Sequence, residues 1–156
     1  MRHGAPEIAA RLAMSLVTME LEGRVLLLDA NIRDPFIAGH FGLKGSKGLA
    51  YALNDKHSAK DAVDTESVPN LGILPAFKED AEHTRAILSS VGTPLLAKLS
   101  EQYEVIVISG PGNADTFEFA VWASHANHVV LAAGEGAHRS EIVEAKKTIE
   151  EAGASL

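Results

Sequence analysis

Asp29, Asn31 and Arg33 stand two residues apart directly after the apolar run Val25-Leu26-Leu27-Leu28. A carboxylate, an amide and a guanidinium so close together suit a phosphate-and-metal site: Asp29 could hold Mg²⁺ through water or orient a nucleophile, and Arg33 could pair with an anion. The plainer reading is that Asp29 only caps the following turn through its side-chain oxygens. Four consecutive apolar residues predict a strand buried on both faces, and ligands of open α/β sheets gather at the carboxyl ends of such strands. Ser109 closes a similar run, Glu104-Val105-Ile106-Val107-Ile108, and leads into Gly110-Pro111-Gly112-Asn113, a loop that could face an anion. As a nucleophile Ser109 has no base pattern beside it.

The elements that would position these residues alternate between helix and strand. Ile8, Leu12 and Leu16, with Ala9, Ala13 and Val17 beside them, predict a first helix that opens at Pro6 and Glu7, ends at Gly23 and packs on a sheet. After the Asp29 strand, residues 35–54 predict two short helical pieces around a Gly-Ser-Lys-Gly turn, and residues 55–69 a polar surface connection. Asn70–Leu74 predicts a second strand closed by Pro75. Residues 82–102 read as two helices broken at Gly92-Thr93-Pro94, with Thr93 as a cap. A helix over 115–125, a fourth strand at 128–133 and a last helix at 137–152 complete the pattern. The last helix should bury Ile142, Ala145, Ile149 and Ala152 and carry lysines against glutamates outside. The fold expected is α/β: three layers, doubly wound, with a mostly parallel sheet between helices, Rossmann-like in outline. A strand would ordinarily precede the first helix, so the first strand of such a sheet is expected to be missing.

At 156 residues the chain suits one domain, 1–156. A net charge of −7, from 14 basic against 21 acidic residues with no basic cluster, disfavours binding to nucleic acid or to an anionic membrane surface. No apolar run is long enough for membrane insertion, and none resembles a signal peptide. The absence of cysteine excludes disulfides and thiolate chemistry and fits a cytoplasmic setting.

In this order the pieces resemble the cytoplasmic kinase domain of bacterial tyrosine kinases of the exopolysaccharide and capsule type, within the P-loop NTPase branch that includes the MinD and ParA ATPases. Val25–Pro35 is similar to that family's second acidic motif, an apolar strand followed by Asp, Asp or Asn, Arg and Pro. His40-Phe41-Gly42-Leu43 with Lys47-Gly48-Leu49 resembles the segment after it. Asn70–Ala76 resembles the next strand with its Leu-Pro-Ala end, and Gln102–Ile108 the strand of the metal-binding motif. Gly134, Ala137, Arg139 and Glu141 match the loop and helix beyond the following strand. The resemblance implies a P-loop NTPase-like fold truncated at both ends, with ATP and Mg²⁺ as cofactors. The residues placed at the nucleotide are Gly4, Asp29, Asn31, Arg33 and Ser109. Asp29 would be the Mg²⁺ ligand and the catalytic acid of an active form.

Several departures weaken that chemistry. With Gly4 as the last loop glycine, Ala5 stands where the phosphate-binding lysine belongs and Pro6 where the Mg²⁺-binding hydroxyl belongs. Alanine brings no charge, and proline offers neither hydroxyl nor N–H. The metal-binding motif ends in Ser109 instead of an acid, and an uncharged hydroxyl is a weaker partner for a divalent cation. No C-terminal tyrosine cluster is present, and Tyr51 and Tyr103 sit in apolar patterns that predict core packing.

The expected function is therefore that of a degenerate kinase-like domain acting by protein contact. The implied partners are a membrane polysaccharide co-polymerase or adaptor, a related kinase, or further copies of the chain in a homo-oligomer. Such a protein would be cytoplasmic and would reach the inner face of the membrane through its partner. An active tyrosine autokinase or ATPase is the alternative, and a MinD/ParA-type positioning ATPase the second. Elsewhere, His125, His128 and His138 invite a metal reading that their spacing does not support, and surface or capping roles are expected. Gly134-Glu135-Gly136 reads equally as a phosphate-contacting turn and as a plain loop. Trp122, with Phe117, Phe119 and Val121, is expected in the core.

Overall fold

The computed structural model describes residues 4–19, 24–54, 56–78, 81–112 and 116–155, with the backbone alone for 81–89. Three parallel strands, β1 (Val25–Asp29), β2 (Leu71–Leu74) and β3 (Val105–Ser109), lie in the order β2-β1-β3. The register sets Val25 beside Leu71 and Val105, and Asp29 beside Ser109. Every residue of β1 is buried, as a central strand covered on both faces must be.

Side chains alternate across the sheet with a period of two. Val25, Leu27, Leu71, Ile73 and Val107 face one layer, made by α1 (Gly4–Val17) and α2 (Ile37–His40). Leu26, Leu28 and Leu74 face the other, under α3 (Leu49–Ala52), α4 (Ala81–Ser100) and α5 (Phe117–His125). Each leucine so buried contributes about 1.5–3 kcal/mol. A final helix, α6 (Arg139–Glu151), packs on α5 and buries Ala145 and Ile149. The three-layer, doubly wound α/β architecture with a parallel sheet is the one the alternation of elements predicts.

The structure corrects several local expectations. Against the sheet α1 turns Ala9, Ala10 and Ala13, while Ile8 and Leu12 stay 47% and 41% exposed. Small side chains let the helix approach closely, and the larger ones are left on its flank. Residues 81–100 form one helix with Pro94 inside it, not two. The buried pair Leu95 and Leu99, with Val91 against the same cluster, keeps one packing stripe running across the proline. Thr93, expected as a cap, instead holds His125 Nε2 at the end of α5, at 2.9 Å.

The segment 128–133 is not a strand. Only His128 forms a bridge, parallel to Ser155, and Val130 is 74% exposed. An apolar run becomes a strand only where its backbone finds a partner edge, and here the pairing stops after the Val129 N–H donates to Ser155 O. The polar stretch 55–69 holds a 3₁₀ turn at Ala59–Ala62, and Asp64 pairs antiparallel with Ile73 on the outer edge of β2. Phe117 is 48% and Ile142 37% exposed, against the core positions expected of them, and Ala152 is only half-buried. Trp122 is in the core, and Tyr51 and Tyr103 pack against it half-buried. The outer face of α6 carries the expected lysine–glutamate pairs, Lys146–Glu150 and Lys147–Glu151. Gly23, expected to end the first helix, and Asn113 lie outside the described residues.

Candidate functional site

Asp29 is fully buried at the carboxyl end of the central strand, and both of its oxygens are engaged. Oδ1 accepts the N–H of Asn31 at 3.1 Å, while Oδ2 accepts those of Phe36 at 3.0 Å and Ile37 at 2.9 Å. One carboxylate thus closes the turn after β1 and receives the first amides of α2, which its own residues leave without a side-chain cap. Burial raises the Asp29 pKa above the ordinary carboxylate value and outweighs the opposing hydrogen bonds from Ile37, Phe36 and Asn31; nearby Asp34 adds to the rise.

The sheet register brings Ser109 beside Asp29 on the face covered by α1 and α2, and the Ala30 N–H donates to Ser109 O at 2.9 Å. Ser109 is 3% exposed, and among the described residues its Oγ has no hydrogen-bond partner. Gly4 and Ala5 are exposed in the first turn of α1, and Pro6 is buried there. α1 packs on β1 and β3, on the same face of the sheet as Asp29 and Ser109. Asp29 and Ser109 therefore belong to one end and one face of the sheet.

Asn31 and Arg33 are used differently. Asn31 Oδ1 accepts the Asp34 N–H at 3.2 Å and holds the turn. Arg33 donates through Nε and Nη2 to Glu118 Oε1 of α5, at 3.1 and 3.0 Å, and so points to the opposite layer. Glu118, 2% exposed, is the residue that sequence reasoning missed. Its signal was an acid set among Phe117, Phe119, Val121 and Trp122, where a helix facing the core has no use for a charge without a partner. The two glycine loops singled out separately also converge: Gly112 and Gly134 line one cleft of about 370 Å³ with Leu131, Ala137 and Glu141. Among the described residues no three histidines or carboxylates gather as a metal-ligand cluster.

A nucleotide with Mg²⁺ requires a cation on its phosphates and a hydroxyl or free carboxylate for the ion. Ala5 and Pro6 supply neither, and Asp29 already serves three backbone amides. Ser109 adds one neutral hydroxyl.

No protein-family profile matches the chain. Its sequence is 27% identical over 110 residues to the tyrosine-protein kinase ptk of Acinetobacter johnsonii, a match covering 69% of this chain and 15% of that protein. The chain spans only 15–17% of the length of the curated relatives it matches. Its fold superposes on the crystal structure of the VpsO kinase domain with a TM-score of 0.79 and 28% identity, covering 95% of this chain and 72% of that one. A cobyrinic acid a,c-diamide synthase from Mycobacterium smegmatis, crystallised with an ATP analogue and magnesium, shares the fold at a TM-score of 0.68 and 21% identity, over 86% of this chain and 56% of that one. In sequence and in fold, the chain is similar to the kinase domains of bacterial tyrosine kinases of the P-loop NTPase group, as its acidic motif implies.

Proposed function

We propose that this chain is a degenerate kinase-type domain of exopolysaccharide or capsule biosynthesis that works through protein contacts and not through turnover of ATP. The observation that carries the reading is the state of the strand-end site. Asp29 is committed to three backbone amides, and Ala5 and Pro6 stand at the opening of α1. A transition state for phosphoryl transfer needs preorganised positive charge, and this end of the sheet offers none from those positions. The partner that suits the resemblance is a membrane polysaccharide co-polymerase or a sibling kinase. No helix among the described residues is long and apolar enough to cross a membrane.

Calorimetric titration of the purified protein with ATP and ADP, with and without Mg²⁺, tests this. The expected result is no heat and no thermal shift at millimolar nucleotide. Micromolar, Mg²⁺-dependent binding of ATP would overturn the proposal in favour of an active ATPase or autokinase.

A further inference from the structure

A second cleft, of about 400 Å³, opens at the carboxyl end of β2. One wall is the loop 43–47, carrying Lys44, Ser46 and Lys47; the other carries Asp61 and Asp64; Pro75 and Phe77 contribute apolar surface. The loop is fixed at both ends. The Leu43 N–H donates to Ala38 O at 2.8 Å and the Leu49 N–H to Pro75 O at 2.7 Å. A Cβ on Gly48 would stand 2.5 Å from Pro75 O and 2.8 Å from the Phe77 ring, so the loop is seated tightly on the end of β2. Gly42 and Gly45 take positive φ, 68° and 151°, which lets the backbone turn sharply between them.

Between those anchors, none of the backbone N–H groups of residues 44–48 donates to another group of the described protein. Neither Lys44 nor Lys47 has an ion-pair partner among the described residues, although Lys47 Nζ lies 5.3 Å from the Tyr51 ring. Successive free amides, two ammonium groups and a hydroxyl on one wall make a receptor for a compact anion. Lysine ammonium groups bind phosphate as point charges, without the fixed fork geometry of arginine. The facing aspartates would repel a bare anion but can accept hydrogen bonds from hydroxyl groups. Asp64 already takes the Ser67 N–H and O–H in this way, at 2.9 and 3.1 Å. The apolar surface of Phe77 and Pro75 suits the C–H face of a ring.

We infer that this cleft binds a small phosphorylated polyol, a sugar phosphate, with its phosphate on Lys44, Ser46 and Lys47 and its hydroxyls on Asp61 and Asp64. The site is separate from Asp29 and does not depend on the reading of the nucleotide end. The test is a ¹⁵N–¹H titration of the full chain with glucose 1-phosphate, run beside inorganic phosphate and glucose. Saturable shifts confined to amides 44–48 and 61–64 are expected. Lys44→Glu with Lys47→Glu should weaken binding by at least about tenfold, as loss of a charge-assisted contact does. Asp61→Asn should weaken glucose 1-phosphate more than inorganic phosphate. These side chains are exposed, so the rest of the spectrum should stay in place and report that the fold is intact. No saturable shift, shifts centred elsewhere, or undiminished binding by the double variant would overturn the inference. Equal affinity for inorganic phosphate would overturn its sugar half.

Discussion

Removing the Asp29 carboxylate should unfold the chain far more readily than a change at a dispensable ligand position would. Asp29→Ala strips the acceptor from three backbone amides; that of Ile37 is buried, and those of Asn31 and Phe36 are partly so. An orphaned buried donor costs about 1–3 kcal/mol, and the two partly buried ones can recover some of this from water. A total near 3 kcal/mol follows, within the range for breaking a buried charged network. With a urea slope of about 2 kcal/mol per molar, the unfolding midpoint should fall by about 1.5 M. Asp29→Asn should cost less, about 1 kcal/mol. Its carbonyl oxygen can stay with Phe36 and Ile37, while its NH₂ confronts the Asn31 N–H, a donor that it cannot satisfy. Equilibrium urea unfolding followed by circular dichroism measures both. A loss under about 1 kcal/mol for alanine, or a larger loss for asparagine than for alanine, would refute the capping role.

Titration offers a second handle on the same group. The Asp29 pKa is raised in the fold, so the proton-linked part of its contribution to stability is full below its ordinary value of 3.8 and is lost as pH rises through the raised one, while its hydrogen bonds to the three amides persist. The gap in unfolding free energy between wild type and Asp29→Asn should therefore shrink over that window, and unfolding curves collected across it check the slope. Two glycines should rank by what stands beside them. Gly48→Ala meets the backbone oxygen of Pro75, which cannot move freely, whereas Gly72→Ala meets the ring end of Tyr103, at 2.8 Å. Thermal unfolding should show the larger loss at Gly48, with about 1–3 kcal/mol expected there. A double-mutant cycle on Arg33→Ala and Glu118→Ala should give a coupling on the order of 1 kcal/mol, because the guanidinium is half exposed while the carboxylate is buried.

The legible parts of this fold were those where the local pattern and its neighbours demand the same thing. Val25–Leu28 is apolar throughout because both faces are covered, so the strand's burial on both sides could be read directly. The two short helices on either side of the Gly-Ser-Lys-Gly turn were legible from glycine placement. The failures share one cause, which is that the decisive partner lies far off in sequence. Pro94 predicts a break, yet Leu95 and Leu99 dock on the sheet and carry the helix through it. The run 128–133 looks like a strand but finds a pairing edge only at its first residues. Arg33 looked like a phosphate ligand, and its partner proved to be Glu118, 85 positions away on α5. Asp29 and Ser109 were chosen separately, and only the register shows that they are neighbours.

That register bears on what the acidic motif means. The features that make Val25–Pro35 similar to a kinase motif are an apolar strand, an Asp, an amide, an Arg and a Pro. Each of the three polar residues has a partner here that needs no nucleotide. Asp29 closes the turn and starts α2, Asn31 holds the Asp34 amide, and Arg33 ties the turn to α5. The motif's polar groups thus each serve the local fold at the carboxyl end of the sheet. Ser109 Oγ, buried beside Asp29 without a hydrogen-bond partner among the described residues, is a group at this end of the sheet that the frame leaves unused. If the site has no ligand role, Ser109→Ala should leave stability unchanged or raise it slightly, because it removes a buried polar atom that has no hydrogen bond. A clear loss of stability in urea unfolding would show that the hydroxyl is satisfied in solution, by water or by a ligand, and would reopen this end of the sheet as a binding site.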